Sequence, residues 1–222
     1  MKKVLVIGGK GNGTVLGEAI IDAQNKGNCE YSFEGFINDR DNLSSIDGYP
    51  VVGGIGDIGS LINKGYHFIF SIYKFDDQVN RIGIFEKCNI PLERLVTFVH
   101  PSSYVAKSTT LAPGVFIMPN VAITSNNKIG LNCIIRPGST IGHDNIIGNH
   151  VSISAGVSIG SCNKILDGAS FGLKSCMREY TTVGQNAMLG IGTVLTKDIP
   201  DNELWIGNPG RFLRKAKFLE NE

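Results

Sequence analysis

From Val105 to Leu195, every sixth residue is large and apolar: Val105, Leu111, Ile117, Ile123, Ile129, Ile135, Ile141, Ile147, Ile153, Ile159, Ile165, Phe171, Met177, Val183, Leu189 and Leu195. The fourth residue after each is small, amide-bearing or valine, from Thr109 through Asn127, Ser139, Asn145, Val157 and Ala169 to Thr193, before the bulkier Ile199. An α-helix would scatter every sixth position around its circumference. A period of six instead suits a chain that turns a corner after each short strand and points one large residue inward per face. Three such faces make one coil. Coils stacked about 4.8 Å apart, the spacing of neighbouring strands, line the large residues into interior columns and leave the small ones at the corners. The uninterrupted run up to Pro200 predicts a β-helix of slightly more than five coils. Periodicity alone gives no hand.

The chain has 222 residues, with 42% hydrophobic residues and a formal net charge of +1. That is room for one large or two modest domains, and the near-neutral charge argues against a nucleic-acid partner. The one basic cluster, Arg211, Arg214, Lys215 and Lys217, reads as a solvated helix face or a phosphate site. After Met1-Lys2-Lys3 the apolar stretch is too short for a signal h-region or a membrane span, which predicts a cytoplasmic protein without membrane insertion. The five cysteines are odd in number and form no Cys-x-x-Cys pair, so reduced thiols are expected rather than a disulfide frame or a zinc site.

Ahead of the repeats the pattern changes to strand, glycine loop, helix. Val4-Leu5-Val6-Ile7 leads into Gly8-Gly9-Lys10-Gly11-Asn12-Gly13 and a helix through Asp22. Further strands are expected at residues 31–37 and 67–72, with a helix over residues 76–88. The boundary falls near residue 98, giving a Rossmann-like βαβ domain over 1–97 and the repeats over 98–222. The loop's free N–H groups suit a phosphate at the start of a helix, with Gly9, Lys10, Gly11 and Gly13 as candidate contacts, or else the glycines serve tight packing. Asp39 either meets a ribose or base, or starts a turn in residues 38–42. Arg81 either reaches a phosphate or is an exposed helix arginine.

This order of domains, with Gly35-Phe36-Ile37-Asn38-Asp39, the hexads, Gly142-His143-Asp144 and Ile206-Gly207-Asn208-Pro209, resembles the sugar O- and N-acyltransferases of the NeuD/PglD type across essentially the whole chain. The resemblance implies a left-handed parallel β-helix of the hexapeptide-repeat superfamily, where ordinary crossover rules would favour the right hand. It also implies a nucleotide-linked sugar on the first domain and acetyl-CoA between neighbouring subunits of a homotrimer, with no metal. His143 is then the general base and Asp144 its partner, the alternative being an exposed corner pair without a role. Ser161 would lie near the thioester oxygen, Leu173 and Ile191 along the pantetheine, and Gly207 and Pro209 near the adenine.

Two positions depart from that family. Its second histidine, nine residues beyond the first, is Ser152 here, with His150 two residues earlier as a partial substitute or a solvated corner residue. Arg136-Pro137 replaces the usual Asn-Thr, and Arg136 either forks onto a phosphate or carboxylate or is a surface arginine. The expected activity is acetyl transfer to the amine of a UDP- or dTDP-linked amino sugar, by direct attack on the thioester. The alternative is O-acetylation of sialic acid or a related sugar. Rivals are a γ-class carbonic anhydrase, for which the repeats hold too few histidines, a nucleotide-dependent oxidoreductase, and a scaffold without chemistry. Residues 205–222 follow the last hexad, and Phe212, Leu213, Ala216 and Leu219 fall on a helical stripe that would cap the open end.

Overall fold

The computed structural model describes residues 1–40 and 43–217. Asp41, Asn42 and Leu219, drawn into the turn and the cap above, lie outside them. The chain forms two compact units, Met1–Tyr73 with Gly83–Val96, and Lys74–Ile82 with Thr97 onward.

In the first unit, β1 (Lys2–Ile7) is followed by α1 (Asn12–Asn25), β2 (Tyr31–Ile37), β3 (Ser45–Ile46), β4 (Tyr49–Gly53), α2 (Ile58–Asn63) and β5 (His67–Phe70). The sheet order is β3-β4-β2-β1-β5, parallel throughout except that β3 runs antiparallel to β4. Val4, Leu5, Val6 and Ile7 are all buried, as a central parallel strand covered on both faces requires. β2 and β5 flank β1 on opposite sides, the strand arrangement at whose carboxyl ends open α/β sheets bind their ligands. Gly13 lets α1 lie close on the sheet: a Cβ there would sit 2.9 Å from the Phe36 ring.

The second unit is the β-helix. Two-residue strands recur every six residues and pair in parallel with the strand eighteen residues on, as Ile135 does with Ile153 and Ile153 with Phe171. Face 1 carries Val105, Ile123, Ile141, Ile159, Met177 and Leu195; face 2 Leu111, Ile129, Ile147, Ile165 and Val183; face 3 Ile117, Ile135, Ile153, Phe171 and Leu189. These side chains form one interior core with the corner residues Val121, Cys133, Val151, Val157, Ala169 and Ala187.

The corners follow a rule that the large residues do not announce. Three residues after each from Leu111 to Leu189, the backbone turns left-handed, at Asn120, Asn126, Asn132, Asp144, His150, Cys162, Lys174, Tyr180 and Asn186, and at Gly114, Gly138, Gly156, Gly168 and Gly192. Asparagine and glycine adopt that conformation at least cost. Below the corner after face 1, buried amides stack into a ladder: Asn127 Oδ1 accepts from Asn145 N at 3.0 Å, Asn145 Oδ1 from Asn163 N at 2.9 Å, and Asn163 Oδ1 from Thr181 N at 2.8 Å. Each coil is thereby held in register with the next.

Lys74–Ile82, which the sequence places in the first domain, belongs to this unit, and with it the beginning of α3 (Gln78–Lys87). Gln78 is buried and donates to Ser170 Oγ at 3.4 Å. Arg81, expected on an exposed helix within reach of a phosphate, is 2% exposed and donates to the carbonyls of His150 (2.8 Å) and Gly168 (3.1 Å). Its guanidinium ties Lys74–Ile82 to the coils, and a buried arginine needs just such acceptors. The helical cap is also corrected. Residues 211–215 form a strand antiparallel to Glu203–Ile206, which itself continues face 3 by pairing Trp205 with Leu189. Gly207, at φ 95°, and Pro209 lie in the hairpin's connection, a turn signal that outweighs the helical spacing of Phe212, Leu213 and Ala216.

Candidate active site

His143 and Asp144 stand at the corner between faces 1 and 2, with side chains 55% and 48% exposed. The neighbouring coils fix the backbone beneath them: His143 N donates to Ser161 Oγ at 3.1 Å, and Asp144 N to Ser125 O at 3.0 Å. The eighteen-residue stacking thus places Ser125 and Ser161 on either side of the pair. The left-handed turn at Asp144, φ 58°, brings its carboxylate back beside the preceding ring, with Nδ1 of His143 2.6 Å from Oδ2. Hydrogen bonds from His143 and then Asn126 hold the Asp144 carboxyl below the usual carboxylate range. A carboxylate that accepts the Nδ1 proton leaves Nε2 as the basic nitrogen.

Leu173 and Ile191 lie at a different corner, between faces 3 and 1, where they are 47% and 75% exposed. They line an apolar hollow of about 490 Å³ with Gly172, Gly190, Phe75, Ser154, Leu204 and Ile206. Phe75, supplied by Lys74–Ile82, is a wall residue that reading the repeats alone misses. Gly207 and Pro209 are exposed just beyond Ile206. The glycines matter for spacing, since a Cβ on Gly172 would lie 2.7 Å from the backbone of Gly190 and Ile191. One chain therefore separates the residues into two groups, His143, Asp144 and Ser161 at one corner and Leu173, Ile191 and Gly207 at another.

Ser152 is buried on the outer side of face 3, where Arg136 Nη1 donates to its Oγ at 3.3 Å. It occupies neither corner. His150 sits at the remaining corner, between faces 2 and 3, 9% exposed, its Nδ1 3.1 Å from Asn132 Nδ2. Burial first, and then the nearby Arg81 charge, push its pKa down to about 4. The unfolded chain, with histidine near 6.5, binds the extra proton first as pH falls. Stability of the β-helix is therefore expected to be full above about pH 6.5 and to decline toward pH 4. Replacing His150 with asparagine, which suits the left-handed turn, should flatten that decline in melting curves taken across the interval. An unchanged slope would exclude His150 as its source.

In the first unit, the loop of residues 8–13 ends at the N-terminus of α1, which has no side-chain cap and no acidic residue in its first turn. Lys10 Nζ lies 3.6 Å from Asp47, which also accepts from Thr14 at 2.7 Å. Asn38 Nδ2 donates to Gly8 O at 2.8 Å, fixing the loop against the end of β2. Gly9, Lys10 and Gly11 are thus presented together, while Gly13 packs inward. Asp39 Oδ1 accepts from Ile55 N at 2.7 Å, so this oxygen holds the backbone ahead of α2 rather than a turn within residues 38–42.

No family model matches the chain. A dTDP-3-amino-3,6-dideoxy-α-D-galactopyranose 3-N-acetyltransferase of Aneurinibacillus thermoaerophilus is 40% identical over 62 residues, 25% of this chain and 32% of that protein. The aligned part thus spans about a third of that relative's length. Solved structures align far more fully. The acetyltransferase domain of PglB from Neisseria gonorrhoeae superposes with a TM-score of 0.83 at 27% identity, over 96% of this chain and 100% of that one. A variant of GDP-perosamine N-acetyltransferase from Caulobacter crescentus, in complex with CoA and GDP-perosamine, gives 0.84 at 25% identity, over 97% and 98%. The chain has the architecture of these hexapeptide-repeat acetyltransferases, a Rossmann-like unit followed by a left-handed β-helix.

Proposed function

We propose that this chain, built as the hexapeptide-repeat sugar acetyltransferases are, moves the acetyl group of acetyl-CoA to the amine of a nucleotide-linked amino sugar. The observation that carries the reading is the His143–Asp144 pair, an oriented imidazole at an exposed corner flanked by small polar residues. The acceptor nitrogen attacks the thioester carbonyl, and Nε2 of His143 takes the proton that nitrogen sheds. Asp144 stabilises the resulting imidazolium. The tetrahedral oxyanion needs a donor, the role assigned to the Ser161 amide, and collapse expels the CoA thiolate. No acyl-enzyme is required.

The separation of the two residue groups supports assembly from more than one copy. The groove holding acetyl-CoA would place the Leu173–Ile191 corner of one protomer opposite His143 of the next, in a homotrimer. On the first unit, Gly9, Lys10, Gly11 and the start of α1 would take the diphosphate of the nucleotide-linked acceptor. The N-acetyltransferase title of the Caulobacter protein and that of the Aneurinibacillus relative favour an amine over a hydroxyl. The alternative, O-acetylation of sialic acid, would draw on a carboxylate contact from Arg136, one nitrogen of whose guanidinium donates to Ser152.

The test is acetyl transfer to a panel of UDP-, dTDP- and GDP-linked amino sugars beside sialic acid, read as the mass of the acetylated product. A nucleotide-linked amine is expected to be the preferred acceptor. Transfer to sialic acid alone would overturn the choice of acceptor, and failure to bind acetyl-CoA would favour a scaffold.

A further inference from the structure

The corner that carries His143 also carries a thiol. Cys162 is half-buried one coil on, its N–H donating to His143 O at 2.9 Å. The left-handed backbone at both Asp144 and Cys162, φ 58° and 59°, brings a carboxylate and a sulfur to the same side of the wall as the imidazole. Donor atoms of His143, Asp144 and Cys162 all lie within 4.8 Å of one another.

Imidazole, carboxylate and thiolate are the ligands zinc takes, with sulfur excluding magnesium and calcium. Bond lengths of about 2.0 to 2.3 Å place such donors roughly 3.3 to 3.8 Å apart. An ion here requires the His143 Nδ1–Asp144 Oδ2 pair, now 2.6 Å apart, to open and the half-buried Cys162 sulfur to close to that spacing, through side-chain rotation at the corner. We propose that His143, Asp144 and Cys162 form an inhibitory site for zinc or a similarly thiophilic divalent cation. The ion takes a nitrogen lone pair of His143 and the sulfur of Cys162, whose proton passes to solvent, and no electrons are exchanged. Binding stands on the donor geometry, whereas its effect on transfer rests on the proposed base role of His143.

Cobalt(II) titration of the full chain tests the site without reference to activity. One equivalent should produce a sulfur-to-cobalt charge-transfer band that zinc abolishes, that persists in Cys176→Ser, and that is missing in Cys162→Ser. Acetyl transfer, followed by product mass because the CoA thiol itself binds zinc, should be suppressed by zinc in the unaltered chain. Cys162→Ser should keep the metal-free rate. Losing even a supporting group costs metal sites ~10- to 100-fold in affinity, so this variant should need at least that much more zinc. No charge-transfer band, or one that survives in Cys162→Ser, overturns the site. A band that depends on Cys162, with transfer unaffected by zinc, overturns the inhibitory role and counts against His143 as base.

Discussion

Replacing His143 with alanine is expected to slow acetyl transfer by about 10²- to 10⁴-fold, the usual contribution of a positioned general base. The fold should not notice. The ring is more than half exposed, the residue's N–H bond to Ser161 uses only the backbone, and the left-handed turn belongs to Asp144. Single-turnover measurements with acetyl-CoA and the preferred acceptor, together with a melting curve, separate the two possibilities. A loss of rate with unchanged melting and unchanged acetyl-CoA affinity assigns the loss to proton transfer. A rate within threefold of the parent would remove His143 from the chemistry. Equal loss of rate and of melting temperature would mean that the imidazole serves the wall rather than the reaction.

What the sequence discloses of this molecule depends on whether a property repeats. The interior columns show because one large residue per face recurs at a fixed interval, and face 3 from Ile117 to Leu189 keeps that interval without exception. Ser125 and Ser161 could be placed beside His143 for the same reason, since register steps by whole coils. The left-handed corner is a weaker signal. It repeats almost as often as the columns, but Asp144, His150, Cys162, Lys174 and Tyr180 stand among its asparagines and glycines, so no single residue type marks it. Missing it is what made His150 look like a partial substitute at the position of Ser152, when one occupies a corner beside Asn132 and the other the outer side of face 3. Arg81 carries no repeat at all. Its burial depends on two carbonyls, at 150 and 168, nearly seventy and ninety residues away, which local spacing cannot reveal. The cysteine beside the imidazole was readable from the eighteen-residue stacking, but its approach to Asp144 depends on the backbone turn that both share.

Truncating Phe171 to alanine should destabilise the β-helix by ~3–5 kcal/mol, the cost of emptying a well-packed aromatic site. The ring is 1% exposed and lies in the face 3 column between Ile153 and Leu189, with Trp205 one step further. Neighbouring coils have no chain able to fill the void, because every second residue is pinned to the strands above and below by backbone hydrogen bonds such as Ser154 N to Phe171 O and Gly172 N to Leu189 O. In a stack where each coil touches only its neighbours, such damage is not shared evenly. Coils next to the defect are weakened most, and those further along the stack least. Trp205, the single tryptophan, is 6% exposed at the far end of the damaged column and reports that end alone. Its fluorescence should shift toward that of a solvated indole at markedly lower denaturant in Phe171→Ala than in the unaltered chain. Ile123→Ala, on another face and several coils earlier, removes apolar volume of comparable kind but leaves the support of Trp205 intact. It should therefore move the fluorescence midpoint less. Equal shifts for the two variants would mean that the coils unfold as one cooperative body, and the nearest-neighbour account of this stack would fail.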